Sequence, residues 1–213
     1  MRRPTPADRL VGRLDAVLRA ATRTGLHQRR AYPAADVADL APLDAADRRH
    51  AVGLMRVNHA GEVCAQALYV GQALLARNAR TEKALAQAAR EEGDHLFWCE
   101  QRLTELGGRP SRLNAAWFGG ALAIGAAAAL AGDRVSLGFV EETERQVVTH
   151  LEGHLDKLPA ADRRSRAVID AMRDDEARHA GDAAARGALR LPRFVREAMA
   201  RHARVMTTIA YWI

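Results

Sequence analysis

Two Glu-x-x-His units, Glu92-Gly-Asp-His95 and Glu176-Ala-Arg-His179, each follow a lone glutamate at nearly the same remove: Glu62 stands 30 residues before Glu92, and Glu144 stands 32 before Glu176. Three residues along a helix turn the chain by about 300° and advance it about 4.5 Å, so each Glu and His share a face and can hold one ion together. One such unit says little, because 12 Glu and 8 His in 213 residues produce roughly half a unit by chance. The repetition constrains the fold far more. Each half of the chain reads as a helix with one Glu, a turn, and a helix with Glu-x-x-His, which is the ligand inventory of a four-helix di-metal carboxylate site.

Helix phase supports the same six residues. Met55, Asn58, Glu62, Ala65 and Tyr69 share one stripe, as do Leu85, Ala88, Glu92, His95, Cys99 and Leu106. In the second half the stripes are Leu137, Val140, Glu144, Val147, Leu151, Leu155 and Leu158, and then Ile169, Met172, Glu176, His179 and Ala183. In each, the acid interrupts a largely apolar face. A carboxylate there is costly to bury unless it is paired or binds metal. Glu142 lies about 160° around the helix from Glu144 and should face away. Glu141 is only about 60° off and stays as the alternative ligand. Glu91 and Asp94 lie beside the ligand face and are expected to point outward. Four carboxylates and two imidazoles suit iron or manganese better than zinc, whose structural sites favour thiolate.

The remaining chemistry-bearing residues read more plainly. Cys64 and Cys99 form no CxxC pair and no disulfide framework, which points to a reducing compartment and to small buried hydrophobes. His150 is expected to hydrogen-bond a ligating carboxylate, with His154 and His59 partly solvated or cap-like. As an i, i+4 pair, His150 and His154 also have the spacing of a second metal site.

The apolar content, rich in Ala and Leu with only 5% aromatics, favours helices, and no useful strand pattern occurs. The spacing predicts helices over about 47–78, 81–106, 117–131, 133–158, 162–187 and from 193 to the end. Asp133 and Asp162 are the expected N-caps. Residues 1–45 read as an N-terminal arm and a linker around Tyr32 to Leu43, and residues 46–213 as the main domain. The arm carries an amphipathic face of Leu10, Val11, Leu14, Val17 and Leu18. The apolar stretch from Trp117 to Ala131 is too short for a confident membrane span. Net charge is +6, and only Lys83 and Lys157 are lysines, so the excess is arginine. That reflects either coding bias or a surface that meets anionic lipid. No motif accompanies it that would indicate nucleic acid.

Several long segments resemble the demethoxyubiquinone hydroxylase family. They are Arg56-Val-Asn-His-Ala-Gly-Glu62-Val-Cys-Ala-Gln66, Asp94-His-Leu-Phe-Trp-Cys99, Glu105-Leu-Gly-Gly-Arg-Pro-Ser111, Asp133-Arg-Val-Ser-Leu-Gly-Phe139 and Met172-Arg-Asp-Asp-Glu-Ala-Arg-His179. The likeness runs from about Met55 to Ile213. It implies a ferritin-like four-helix bundle with additional membrane-facing helices, and two iron ions per chain. The family's ligand positions fall on Glu62, Glu92, His95, Glu144, Glu176 and His179. It further implies a di-iron monooxygenase of ubiquinone biosynthesis, acting with O2 on a polyprenylated demethoxyubiquinol. Such a substrate is too apolar for water. The enzyme is therefore expected to be peripheral to a membrane, on the cytoplasmic face of a bacterial cell membrane, with other biosynthetic proteins or a second copy as partners. A ferritin- or rubrerythrin-like oxidase with the same ligands is the competing reading. Against it stand the apolar Trp117–Ala131 run and the absence of a CxxC pair for a rubredoxin module.

Overall fold

A computed structural model describes residues 5–22 and 28–213. Its described residues form seven helices and no strand: α1 (Pro6–Thr22), α2 (Ala45–Leu75), α3 (Ala79–Glu105), α4 (Asn114–Leu130), α5 (Asp133–Lys157), α6 (Arg163–Ala185) and α7 (Arg193–Trp212). The six helices expected from periodicity are all present, with ends within about three residues of expectation. Helices α2 and α3 pack as one hairpin and α5 and α6 as another, with contacts between α3 and α6 and between α2 and α5 closing a four-helix bundle. Helix α4 lies chiefly against α2, and α7 lies against α2 and α5. This is the ferritin-like arrangement, with α4 and α7 outside the four.

Local chemistry explains the boundaries. Asp44 begins α2 by accepting from the N–H groups of Ala46 and Asp47, both at 2.8 Å, and Asp162 begins α6 by accepting from Ser165 N at 2.9 Å. The expected cap at Asp133 is displaced. Gly132, at φ 106°, is the N-cap of α5, and the Asp133 carboxylate instead accepts from Arg77 N and Asn78 N at 2.9 and 2.8 Å. It thereby ties the α2–α3 turn to the start of α5. Helices α2 and α4 approach through glycine: a Cβ on Gly125 would lie 2.2 Å from Leu68 O, and one on Gly71 would lie 2.3 Å from Leu122 O.

The stretch around Tyr32 to Leu43 is a strap rather than a free connection. Tyr32 and Ala34 are buried in the main apolar cluster with Leu54, Trp98 and Leu103. Leu40 N donates to Ala161 O at 3.0 Å, and Asp39 accepts from Arg164 N at 3.0 Å. The guanidinium of Arg102, only 3% exposed, reaches Asp162 at 2.7 Å, Glu105 at 3.0 Å and Asp39 at 3.3 Å, and donates to Ser165 Oγ at 2.8 Å. This network knits strap, α3 and α6 together. On α1, Val11 and Leu18 are exposed, whereas the side chains of Leu10 and Leu14 lie outside those described.

The core of the four-helix bundle falls into two apolar clusters, and a third, of Val57, Ala60 and Ala210, joins α2 to α7. Of the first two, one gathers Met55, Trp98, Cys99, Leu151, Ile169 and Met172, and the other Ala65, Tyr69, Leu85, Ala89, Val140 and Ala183. On each of the four bundle helices the predicted ligands lie in sequence between a member of one cluster and a member of the other. A polar layer thus crosses the middle of an otherwise apolar bundle.

Candidate metal centre

Glu62 on α2, Glu92 and His95 on α3, Glu144 on α5, and Glu176 and His179 on α6 are all buried, between 0% and 6% exposed. They meet in two groups of four. Glu62, Glu92, His95 and Glu176 offer ligand atoms all within 4.8 Å of one another, and so do Glu92, Glu144, Glu176 and His179. Glu92 and Glu176 belong to both groups. They are the residues that two cations could share. Each group then keeps one further carboxylate and one imidazole of its own. Glu142 accepts from Gln146 at 2.7 Å, and Glu141 pairs with Arg145 at 2.9 Å. Both lie apart from the two groups, and on α5 it is Glu144 that the structure brings together with Glu92, Glu176 and His179.

The two imidazoles present matching atoms to this layer. His95 Nδ1 lies 3.0 Å from Glu92 Oε2 and 3.1 Å from Glu176 Oε1, and His179 Nδ1 lies 3.1 Å from Glu176 Oε2. Their Nε2 atoms point the other way, toward acids the sequence reading did not assign. His95 Nε2 donates to Asp175 Oδ2 at 2.9 Å, and His179 Nε2 donates to Glu91 Oε2 at 2.8 Å. Each acid immediately precedes one Glu-x-x-His unit and serves the histidine of the other, so the support is crosswise. A carboxylate on Nε2 fixes the tautomer that leaves Nδ1 free as a ligand.

Electrostatics show what the layer lacks. Burial drives the carboxyl of Glu62 well above the usual range, and burial followed by the neighbouring Glu176 does the same for Glu144. Burial also works against ionised Glu92, but hydrogen bonds from His179 and His95 outweigh it and hold that carboxyl low. Burial opposes charge on both imidazoles, yet the surrounding carboxylates raise them, His179 to about 12. Glu62 Oε2, Glu92 Oε1 and Glu144 Oε1 are buried without a hydrogen-bond partner, the first two 3.4 Å from an imidazole nitrogen. Such orphaned oxygens are expensive in a protein interior. Two divalent cations would meet these oxygens, displace the protons and offset the charge of four carboxylates. The donor set therefore fits a pair of metal ions.

The structure revises the expectations for five other residues. Asp94 is 3% exposed and accepts from Arg29 N at 2.6 Å, and Glu91 is half-buried on His179. His59 and His154 are buried at 2% and 3%. His150 faces His154, with 4.0 Å between ring centroids, and is outside both ligand groups. The sequence held signals for some of this. His154 falls between Leu151 and Leu158 on the α5 stripe, and the acid before each Glu-x-x-His is a repeated feature. Cys99 behaves as the small core residue expected, its thiol donating to Met172 Sδ at 3.6 Å.

Comparison with known proteins agrees with this geometry. The curated proteins it is similar to include 3-demethoxyubiquinol 3-hydroxylases from Ralstonia pickettii, 56% identical over 99% of this chain and 89% of the relative, and from Cupriavidus taiwanensis, 56% identical over 97% and 100%. One from Chromobacterium violaceum is 54% identical over 96% and 98%. The family described as Ubiquinone biosynthesis protein COQ7 matches residues 49–210, and the chain belongs to that family.

Proposed function

We propose that this chain is a 3-demethoxyubiquinol 3-hydroxylase that holds two iron ions and hydroxylates the ring of a polyprenylated demethoxyubiquinol with O2. The observation that carries the reading is the pair of ligand groups sharing Glu92 and Glu176, in a chain of this family. Glu62 and His95 would complete one iron position, and Glu144 and His179 the other. When bound, two Fe(II) ions together supply the two electrons that activation of O2 requires. Placing one oxygen atom on the ring and releasing the other as water would also take up two protons, and a two-electron reductant would have to restore both ions before the next turnover.

The chain's own residues set the conditions for that chemistry. Asp175 and Glu91 hold the two imidazoles in one tautomer. Glu62 and Glu144, whose burial favours their protonated forms while the layer is empty of metal, would give up those protons on taking up the ions. Apolar clusters on either side keep bulk water away. Ala65, Ala89 and Ala183 are the small members of the apolar cluster beside the layer, and the ring would approach the ions there.

The isoprenoid tail calls for a membrane, and no helix among the described residues is long and apolar enough to cross one. Peripheral attachment, at the cytoplasmic face of a bacterial cell membrane, is the remaining part of the proposal. It is supported by α7 and the chain end, where Phe194, Val205, Trp212 and Ile213 are 70%, 57%, 77% and 47% exposed beside the exposed Arg193, Arg201 and Arg204. Met199 and Ile209 are only half-buried on the same helix, and Leu130 at the end of α4 is 66% exposed. The purified protein should co-sediment with anionic vesicles at low salt, and a Phe194→Ser/Trp212→Ser variant should remain in the supernatant. A strain lacking the protein should accumulate the demethoxy quinone, whereas normal ubiquinone in that strain would refute the assignment.

A further inference from the structure

The two halves of the metal layer match in ligands but differ in what braces them. Glu91, which supports His179, accepts from Gln87 at 2.7 Å and faces Arg178 at 3.5 Å, so among the described residues its partners lie on α3 and α6. Asp175, which supports His95, is held by Arg178 at 3.1 Å through Oδ1. Its other oxygen, Oδ2, is the one that His95 uses, and that oxygen is also paired with the guanidinium of Arg30. Arg30 belongs to the segment before α2, outside residues 49–210.

Arg30 touches the second support of His95 as well. Its guanidinium carbon lies 4.8 Å from the centre of the Trp98 ring, and Trp98 packs against the His95 imidazole with 5.2 Å between ring centroids. The backbone on either side is pinned, because the N–H groups of Arg29 and Arg30 reach the buried carboxylate of Asp94 at 2.6 and 3.4 Å. A planar guanidinium can stack on an indole and pair with a carboxylate together, and an ammonium group reproduces only part of that.

We propose that Arg30 is a positioning residue for His95 alone, so that the N-terminal segment makes the two metal positions unequal. The inference rests on the di-iron reading above. Loss of Arg30 takes the cation away from Asp175 Oδ2 and from the face of Trp98, loosening the His95 ring while His179 keeps Glu91, Gln87 and Arg178. Loss of such an outer support typically weakens metal binding by about 10–100-fold. Because Arg178 still holds Asp175, the low end applies here.

The test uses the full chain loaded anaerobically with 57Fe(II), read by Mössbauer spectra and by the time course of iron transfer to a chelator. In Arg30→Ala, one iron should leave about 10-fold faster and one quadrupole doublet should change, while the other iron behaves as in the wild type. Asp175→Asn should affect the same iron, Glu91→Gln the other, and Arg30→Lys should fall between Arg30→Ala and the wild type. Adding Arg30→Ala to Asp175→Asn should produce no further acceleration. Two irons in the wild type with unchanged release in Arg30→Ala, or equal acceleration of both irons, overturns this inference alone. If Arg30→Ala does not fold, wild-type release from Arg30→Lys overturns it in the same way. A wild-type chain that holds no iron overturns the di-iron reading, and this proposal with it.

Discussion

Replacing Glu144 by leucine should make the metal-free protein more stable and the iron-loaded protein less so. The side chain is 1% exposed, its Oε1 has no hydrogen-bond partner, and burial and Glu176 both disfavour its ionised form. An unsatisfied buried polar group costs about 1–3 kcal/mol, and an apolar side chain between Val140 and Val147 removes that cost. His179 retains Glu176, Glu92 and Glu91 in the variant. In a chain of this length 1 kcal/mol moves Tm by roughly 2–4 °C, so the metal-free variant should melt roughly 2–12 °C above the wild type. Iron should act in the opposite sense. A ligand at a thousand times its Kd adds about 4 kcal/mol to the wild type, and the variant forfeits most of this because one ion has lost a carboxylate. Anaerobic calorimetry with Fe(II) and with chelator measures both effects. The reasoning fails if metal-free Glu144→Leu melts at or below the wild type while iron still raises its Tm by the wild-type amount.

Two further outcomes follow from groups outside the metal layer. Arg102→Leu leaves Asp162, which is 0% exposed, without its 2.7 Å partner, and should cost about 3–5 kcal/mol in chemical denaturation. Burial, then Lys157, lowers His150 to about 4, and burial, then His150 and Lys157, lowers His154 to about 2. Both lie below the unfolded value of about 6.5, so the unfolded chain binds more protons once pH drops through that value. Neither histidine affects stability above about pH 6.5, and His150 costs progressively more from there down to about pH 4. Between pH 7 and pH 4.5, His150→Gln should therefore lose about 2 kcal/mol less stability than the wild type, with both proteins metal-free. Equal losses would show that the ring is not held neutral.

The acids of the buried layer were legible because a helix repeats on itself. Glu62, Glu92, Glu144 and Glu176 each interrupt an apolar stripe, and that pattern fixes which way a side chain points without knowledge of its neighbours. Residues whose role depends on how two helices sit together were not legible. Asp175 reaches His95 and Glu91 reaches His179 only because α3 and α6 pack with a particular rotation. The sharing of Glu92 and Glu176 between two ligand groups is likewise a property of four helices at once. The packing of the strap is not encoded locally, because Tyr32 and Ala34 carry no periodic signal although both are buried. Asp133 has the composition of a cap, but its carboxylate serves the preceding turn, a long-range choice that local preference does not encode.

Product analysis under labelled oxygen tests the central claim most directly. Reduced, iron-loaded protein is incubated with a demethoxyubiquinol and 18O2 in H2 16O, and the quinone product is analysed by mass spectrometry. The account predicts a single added hydroxyl on the ring, carrying one 18O atom, and loss of that product when Glu62 or Glu176 is replaced by alanine. A hydroxyl oxygen drawn from water, or no hydroxylated product from a chain that holds two irons, would contradict it.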